Sequence, residues 1–546
     1  MTPPITTTPH PTRSAARRQK LLATAVTLAL SVGLLVGVGG ASPANAATGT
    51  IISMTFDDAN ADQLPAEQKL VSKGMKGTFF LNSGFIGAPN YLTLANVQSM
   101  VADGQEIAGH TISHPDLAAI SIDEATRQIC NDRVNWANWG IPVANFAYPF
   151  ASSTAAVETA AATCGANSAR GLGDIKTRFS CPNCAVGETV PPADKYFTKA
   201  PDQVESTWTL ADLQKSVTQA ETKNNGSWVQ LTFHHICTGA LTVCPAPSVT
   251  PTIFNQFVDW LAPRAASKGT VVKTVGAVIG GTTKPAIAGP VAPPAAPGVN
   301  AIKNPSMETF NAATGLPQCY LAGGYGTNTP TWAVSTDAHT GTSATQLTVA
   351  NYTGGDAKLV PSLDLGECAP TVTPGTTYTL GEWYKSTAVT QFALYYRTAN
   401  GLWQYWTSSP WFAASATYTQ ASWVTPPMPA NATAVSFGLN LFTNGTLTTD
   451  DLSMIQTAAT PAAFRSGTTA ITTPTFDTAA LSAAPGGQNT KPGRHKGNQI
   501  TTHNVVPGPA QPRTGGGRSA RNPQLGITPG AVVLPPFVVS PELTRG

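Results

Sequence analysis

From residue 49 to about 280 the chain alternates short β-like runs with amphipathic helical stretches, and this alternation narrows the fold more than any other feature. Ile51 to Phe56, Gly77 to Leu81, Glu106 to Ala108, Phe146 to Tyr148, Trp228 to Phe233 and Thr270 to Val275 read as strands. Ser121-Ile-Asp-Glu124 has the form of a capping box and opens a helix to about Trp139. Leu210, Leu213 and Val217 follow Thr209 at helical spacing, as Phe254, Phe257, Val258 and Leu261 follow Thr252. Strand and helix alternating over this length predict an α/β unit with a parallel sheet, open or closed into a barrel. In such folds chemistry gathers at the carboxyl ends of the strands.

Three of these runs end in side chains that bind metal or move protons. The first runs into Asp57 and Asp58. Adjacent side chains on extended chain point to opposite sides, so one acid can hold a metal while the other faces a substrate. Another short strand leads to His110 and His114, which one helical turn would place on the same side. A third ends in His234 and His235. Each piece also has an ordinary reading: a capping pair of histidines, an Asp pair in a turn, a surface imidazole. Their shared position at strand ends of one unit favours a metal-dependent hydrolase. Two histidines and a carboxylate, with open positions for water, form a catalytic zinc set.

Charge divides the chain into regions. The net charge of +3 over 546 residues argues against a nucleic-acid binder. Residues 1–46 carry four cations and no acid, and 457–546 carry eight cations against two acids, which leaves 20 against 27 in between. Arg17-Arg18-Gln19-Lys20, the apolar run Leu21 to Val38 and Ala44-Asn45-Ala46 predict a signal peptide cleaved after Ala46, hence a secreted protein without stable membrane insertion. Eight cysteines fit that oxidising route, with Cys181/Cys184 and Cys237/Cys244 as candidate local disulfides. Residues 281–298 hold five prolines and read as a stiff linker between a first domain over 47–280 and a second over 299–456. In the second, Tyr378 to Trp383, Phe392 to Tyr396 and Ala434 to Leu441 are strands of an expected β-sandwich. Residues 457–546, rich in Thr, Ala, Pro and Gly, read as a disordered tail.

Thr55-Phe56-Asp57-Asp58, His110-Thr111-Ile112-Ser113-His114 and Leu231-Thr232-Phe233-His234 resemble motifs one, two and five of the polysaccharide deacetylases, carbohydrate esterase family 4. The resemblance covers about 49–280. It implies a distorted (β/α) barrel and a divalent metal, usually zinc, held by Asp58, His110 and His114. It implies Asp57 as general base and the motif-five histidine as general acid; His234 is chosen, with His235 its alternative. Tyr148-Pro149-Phe150 resembles the groove wall and oxyanion amide of the third motif, but Ala147 stands where that motif carries an arginine. Arg170 could substitute or be a surface residue, and no fourth motif is found.

Asn304-Pro-Ser-Met-Glu308 and Thr448-Thr-Asp-Asp451-Leu-Ser-Met454 resemble the opening and closing strands of jelly-roll carbohydrate-binding modules, which implies a structural calcium near Glu308 and Asp451. Trp403, Tyr405 and Trp406 are either a sugar platform or core. The expectation is a secreted deacetylase taking N- or O-acetyl groups from a polysaccharide such as chitin, peptidoglycan or acetylxylan. Its rival is a non-catalytic polysaccharide binder whose deacetylase domain has degenerated.

Overall fold

The computed structural model describes residues 49–223, 227–240 and 243–457. The expected signal peptide and all but the first residue of the expected tail lie outside the described residues. The first part runs β1 (Ile51–Asp57), α1 (Leu64–Ser72), β2 (Thr78–Leu81), α2 (Leu94–Ala102), β3 (Glu106–Gly109), α3 (Ile122–Asn138), β4 (Asn145–Ala147), α4 (Ala155–Thr163) and β5 (Ser168–Arg170). It continues with α5 (Leu210–Glu221), β6 (Trp228–Phe233), β7 (His235–Ile236), β8 (Ser248–Val249), α6 (Pro251–Leu261), α7 (Arg264–Lys268), β9 (Val271–Val272) and α8 (Val275–Ile279). The main sheet has the order β5-β4-β3-β2-β1-β6, all pairs parallel, with β9 beside the start of β1.

Side-chain alternation gives this sheet two different faces. Ile52, Met54 and Phe56 of β1 and Val229, Leu231 and Phe233 of β6 share a core with Leu70 of α1 and Phe254 and Phe257 of α6. Each such side chain stabilises the fold by about 1.5–3 kcal/mol. The other face carries Ser53, Thr55 and Asp57, Gln230 and Thr232, and Ser168 and Arg170, all buried. Thr55 Oγ1 lies 3.0 Å from Thr232 Oγ1, and Arg170 Nη1 donates to Thr232 Oγ1 over 2.5 Å. Arg170 and Thr232 belong to the two end strands, so the sheet must curl until its ends face each other. That is the distorted barrel. Bridges from Arg170 to Thr198 and from Glu188 to Trp228 fill the gap between the ends.

Local readings differ in detail from the sequence expectation. β5 was absent from it, since three residues show no period. The expected strand 270–275 is strand only at Val271–Val272 and then becomes α8. Helix α6 starts at Pro251 with Thr250, not Thr252, as its cap. Ser121 caps α3 by accepting from Glu124 N, but Glu124 does not complete the box. Its carboxylate instead accepts from Leu365 N at 2.8 Å and from Arg127 at 3.1 Å. Disulfides join Cys130 to Cys164, Cys181 to Cys184, Cys237 to Cys244 and Cys319 to Cys368. Among the described residues no helix is long and apolar enough to cross a membrane.

The second part is antiparallel. Its strands are β10 (Tyr320–Tyr325), β11 (Thr329–Ser335), β12 (Ala344–Ala350), β13 (Asp356–Pro361), β14 (Tyr378–Ser386), β15 (Phe392–Thr398), β16 (Trp403–Ser408), β17 (Ser415–Val424), β18 (Ala432–Leu441) and β19 (Gly445–Gln456). Sheets β10-β13-β18-β15-β16 and β11-β12-β19-β14-β17 share one core containing Leu347, Leu380, Phe392, Phe437 and Met454. The proline-rich stretch is strapped to α3: Arg133 donates to Lys284 O (2.8 Å) and Pro285 O (3.3 Å), and Arg127 Nε to Pro290 O (3.0 Å).

The structure places the candidate residues of this part as follows. Trp403 is 5% exposed and packs with Tyr395, Ala369 and Ala434, with Tyr405 against the same cluster, while Trp406 packs on the sandwich core. Alternation along β16 sends these rings to both faces, with Trp403 buried and Tyr405 and Trp406 half-buried against apolar layers. Glu308 accepts from Thr342 N (2.9 Å), Ser343 N (3.0 Å) and Thr342 Oγ1 (2.7 Å), and Asp451 accepts from Thr340 Oγ1 (2.6 Å). Both carboxylates hold the 339–343 loop through protein donors. Among the described residues neither belongs to a three-ligand cluster.

Candidate active site

The site lies at the carboxyl ends of β1, β3, β5 and β6, where the polar face of the sheet opens. β1 stops at Asp57 because the chain turns left-handed at Asp58 (φ 78°) and Ala59 (φ 63°). Extended backbone would have parted the two carboxylates; this turn brings both to the same pit. Asp58 Oδ1 stands 3.3 Å from His110 Nε2 and 3.2 Å from His114 Nε2. The histidines do not share a helical turn. Thr111 (φ 72°) and His114 (φ 59°) are left-handed, and the loop between them folds the imidazoles to a ring separation of 4.8 Å.

These three groups suit a divalent cation. His110 Nδ1 donates to Ala147 O over 2.8 Å, which turns Nε2 toward Asp58; burial works to lower the pKa of the ring, but Asp58 and Asp57 outweigh it and raise it. Asp58 Oδ1 is buried with no hydrogen-bond partner. Burial works to raise its carboxyl, but the imidazoles of His114, His234 and His110 outweigh it and hold the group well below the usual carboxylate range. Burial, helped by His110 and His234, lowers His114 to about 4, so its ring is neutral at neutral pH. An anionic oxygen and two imidazole nitrogens converging at this spacing make a metal-ligand set, in which a cation would take the place of the His110 proton.

Asp57, 2% exposed, is the second carboxylate of the pit. Arg170 Nη2 donates to its Oδ2 over 2.5 Å, while its Oδ1 is buried without a partner. Arg170 is therefore no surface residue: it is 2% exposed and sits where β5 points into the barrel. In the ladder Arg170 pairs with Ala147, the position at which the third motif lacks its arginine. The next residue of β6's inward series is His234. Its Nε2 is 3.9 Å from both Asp57 Oδ2 and Asp58 Oδ2, and burial lowers its pKa. His235 turns away, with Nδ1 2.7 Å from Asp62 Oδ2.

Tyr148 and Phe150 divide the roles of their motif. Tyr148 is buried and donates to Tyr196 O (2.8 Å), while Phe150, 61% exposed and left-handed (φ 55°), sets its ring 4.7 Å from that of His114. Pro149 is buried beneath them. Asp62, His235 and Cys237 also lie together, but Cys237 is bonded to Cys244 and offers no thiolate. Sequence reasoning missed Gln63, whose Nε2 donates to Asp57 O (2.5 Å) and His234 O (2.7 Å), tying two strand ends together. It missed Asn82, which donates to His110 O and to Thr111 O (3.2 Å). Neither carries a charge or a spacing that would mark it. It also missed Asp132, a fully buried carboxyl pushed up to about 7 by burial, whose Oδ1 accepts from Ser83 N at 3.0 Å.

Residues 44–169 match the family model for polysaccharide deacetylase, a span that contains Asp57, Asp58, His110 and His114 and ends just before Arg170. No curated protein matches the chain. Among solved structures, a Streptococcus pyogenes deacetylase, PplD, is 23% identical with a TM-score of 0.22, over 23% of this chain and 57% of that one. The family 4 carbohydrate esterase of Streptomyces lividans is 16% identical with a TM-score of 0.28, over 42% and 93%. BA3943, a family 4 pseudoenzyme of Bacillus anthracis, is 16% identical with a TM-score of 0.29, over 43% and 66%. At these values the likenesses add nothing to the chemistry of the pit.

Proposed function

From a chain that carries a polysaccharide deacetylase domain, we propose a secreted, metal-dependent hydrolase that removes acetyl groups, as amides or esters, from an extracellular polysaccharide such as chitin, peptidoglycan or acetylxylan. One observation carries this reading: Asp57, Asp58, His110, His114 and His234 converge on one pit, with 3.2–4.0 Å between the facing carboxylate and imidazole atoms.

Asp58, His110 and His114 would hold the cation, which when bound polarises the acetyl carbonyl and acidifies water. Asp57 takes the proton of the attacking water on Oδ1, the oxygen left without a partner. Arg170 holds the other oxygen and keeps the carboxylate aimed. As the acetyl C–N or C–O bond breaks, His234 gives a proton to the leaving amine or alcohol. Phe150 at the rim offers an apolar face to the sugar ring beside the acetyl group.

The test is acetate release by the purified chain from chitin oligomers, peptidoglycan and acetylxylan, beside Asp58→Ala and with bound metal measured. Release on at least one polymer, abolished in the variant, is expected. Metal and polymer binding without release on any of them sinks the enzyme reading. The rival, a non-catalytic binder, rested on the missing arginine at Ala147, and Arg170 beside Asp57 supplies that guanidinium.

A further inference from the structure

We propose that the β-sandwich is a working part of the metal centre, its turn 398–402 holding the His110–His114 loop in shape. The proposal rests on Asp58, His110 and His114 being the metal ligands, as read above.

The contact is direct. Gly401, in the turn between β15 and β16, is left-handed (φ +89°), and a Cβ there would come within 2.5 Å of Ile112 Cγ2. Ile112 stands midway between the two histidines and is 2% exposed. Leu365 of the sandwich part closes on the same point, 3.4 Å from that Cβ position. On the other side Gly84 approaches equally closely: its N–H donates to Ile112 O (3.0 Å), and a Cβ would lie 2.5 Å from that oxygen. Ile112 is thus clamped between one glycine of the barrel and one of the sandwich.

A polar path runs beside the apolar one. Asn135 Nδ2 of α3 donates to Asn400 O (2.8 Å) and to Ser83 Oγ (2.9 Å). Ser83 lies between Asn82, which grips the His110 and Thr111 carbonyls, and Gly84, which grips Ile112. Leu365 N on Glu124 (2.8 Å) fixes the sandwich against α3 nearby, and within the sandwich Arg397 Nη1 donates to Asp364 O (2.7 Å) beside that contact.

The physical need is plain from the backbone. Thr111 and His114 are non-glycine residues in the left-handed region, a conformation that persists only where the surroundings over-determine it. Remove the 398–402 turn and Ile112 becomes an exposed apolar side chain on a strained loop. The imidazoles on either side of it then lose their fixed spacing.

The test uses the full chain with Gly401→Ala, Asn135→Ala and, as a control for general destabilisation, Leu452→Ala in the sandwich core away from the turn. Cobalt binding is read from visible ligand-field bands, and amide exchange is followed for segments 82–85 and 109–115. Gly401→Ala and Asn135→Ala should weaken cobalt binding about 10- to 100-fold, as loss of outer support does, alter the bands and speed exchange in both segments. Leu452→Ala should change none of these. Wild-type exchange in Asn135→Ala and Gly401→Ala, or an equal change in Leu452→Ala, overturns the proposal. Should Gly401→Ala fail to fold, Asn135→Ala decides alone. If the wild-type chain takes up no metal, the reading of the ligands falls, and the exchange measurements still decide whether the turn holds the loop.

Discussion

At the residue scale, the pit sets buried carboxylates against guanidinium and imidazole groups and leaves single carboxylate oxygens without a hydrogen-bond partner. Arg170 on Asp57 is the clearest case, because the pair is buried and the remaining carboxylate oxygen is buried without a partner. Arg170→Met should lower kcat about 10²- to 10⁴-fold, the range of a lost acid–base contribution, while bound metal, measured by elemental analysis, stays at the wild-type ratio. It should also lower unfolding free energy by about 3–5 kcal/mol, since Asp57 is left buried without its counter-charge. The two adjacent histidines should separate cleanly in kcat/KM: His234→Ala loses about 10²- to 10⁴-fold, and His235→Ala, which breaks only the contact with Asp62, changes it little. Equal losses in the two would refute the assignment. Asp57, Asp58, His110, His114 and His234 could be picked out from the sequence because charge at a strand end is conspicuous in an apolar run. Gln63 and Asn82 act through amides bonded to carbonyls of residues up to 171 positions away, a relation that leaves no local pattern.

At the scale of elements, alternation made β1 and β6 legible and hid β5. Three residues are too few to show a period, yet β5 carries the guanidinium of the site. Ser121-to-Glu124 shows the opposite failure: the sequence form of a capping box was present, and tertiary contact with Leu365 drew the glutamate away from it. In the sandwich, β14 buries Glu382 completely, with Oε2 accepting from Leu439 N at 3.1 Å, and burial pushes its carboxyl up to about 8 from an ordinary value of 4.5. The folded state therefore holds this proton more tightly than the unfolded chain. The resulting stability is complete below about pH 4.5 and is lost as pH rises through 8, by up to about 1.4 kcal/mol per pH unit. Glu382→Gln should flatten urea stability between pH 5.5 and 8 relative to wild type. An unchanged slope would show that Glu382 is not the titrating group.

At the scale of the whole molecule, barrel, proline-rich strap and sandwich share α3, so binding in the pit and stability of the whole are linked. A ligand that binds only the folded state adds about 2.7 kcal/mol when present at one hundred times its dissociation constant. Calorimetry of the full chain should then show a single transition moving up with zinc and down with a chelator. Two transitions, with only the lower one sensitive to metal, would show that the sandwich unfolds independently. The ladder pairing of Ala147 with Arg170 has a further consequence for how such chains are sorted. What the chemistry requires is a positive charge at one address in space, and neighbouring rungs of a parallel sheet share that address. Arg170, on the next strand and 23 residues after Ala147, sets its charge on the Asp57 carboxylate from the same rung. A letter-by-letter check of the motif misses this guanidinium; a check of ladder partners finds it.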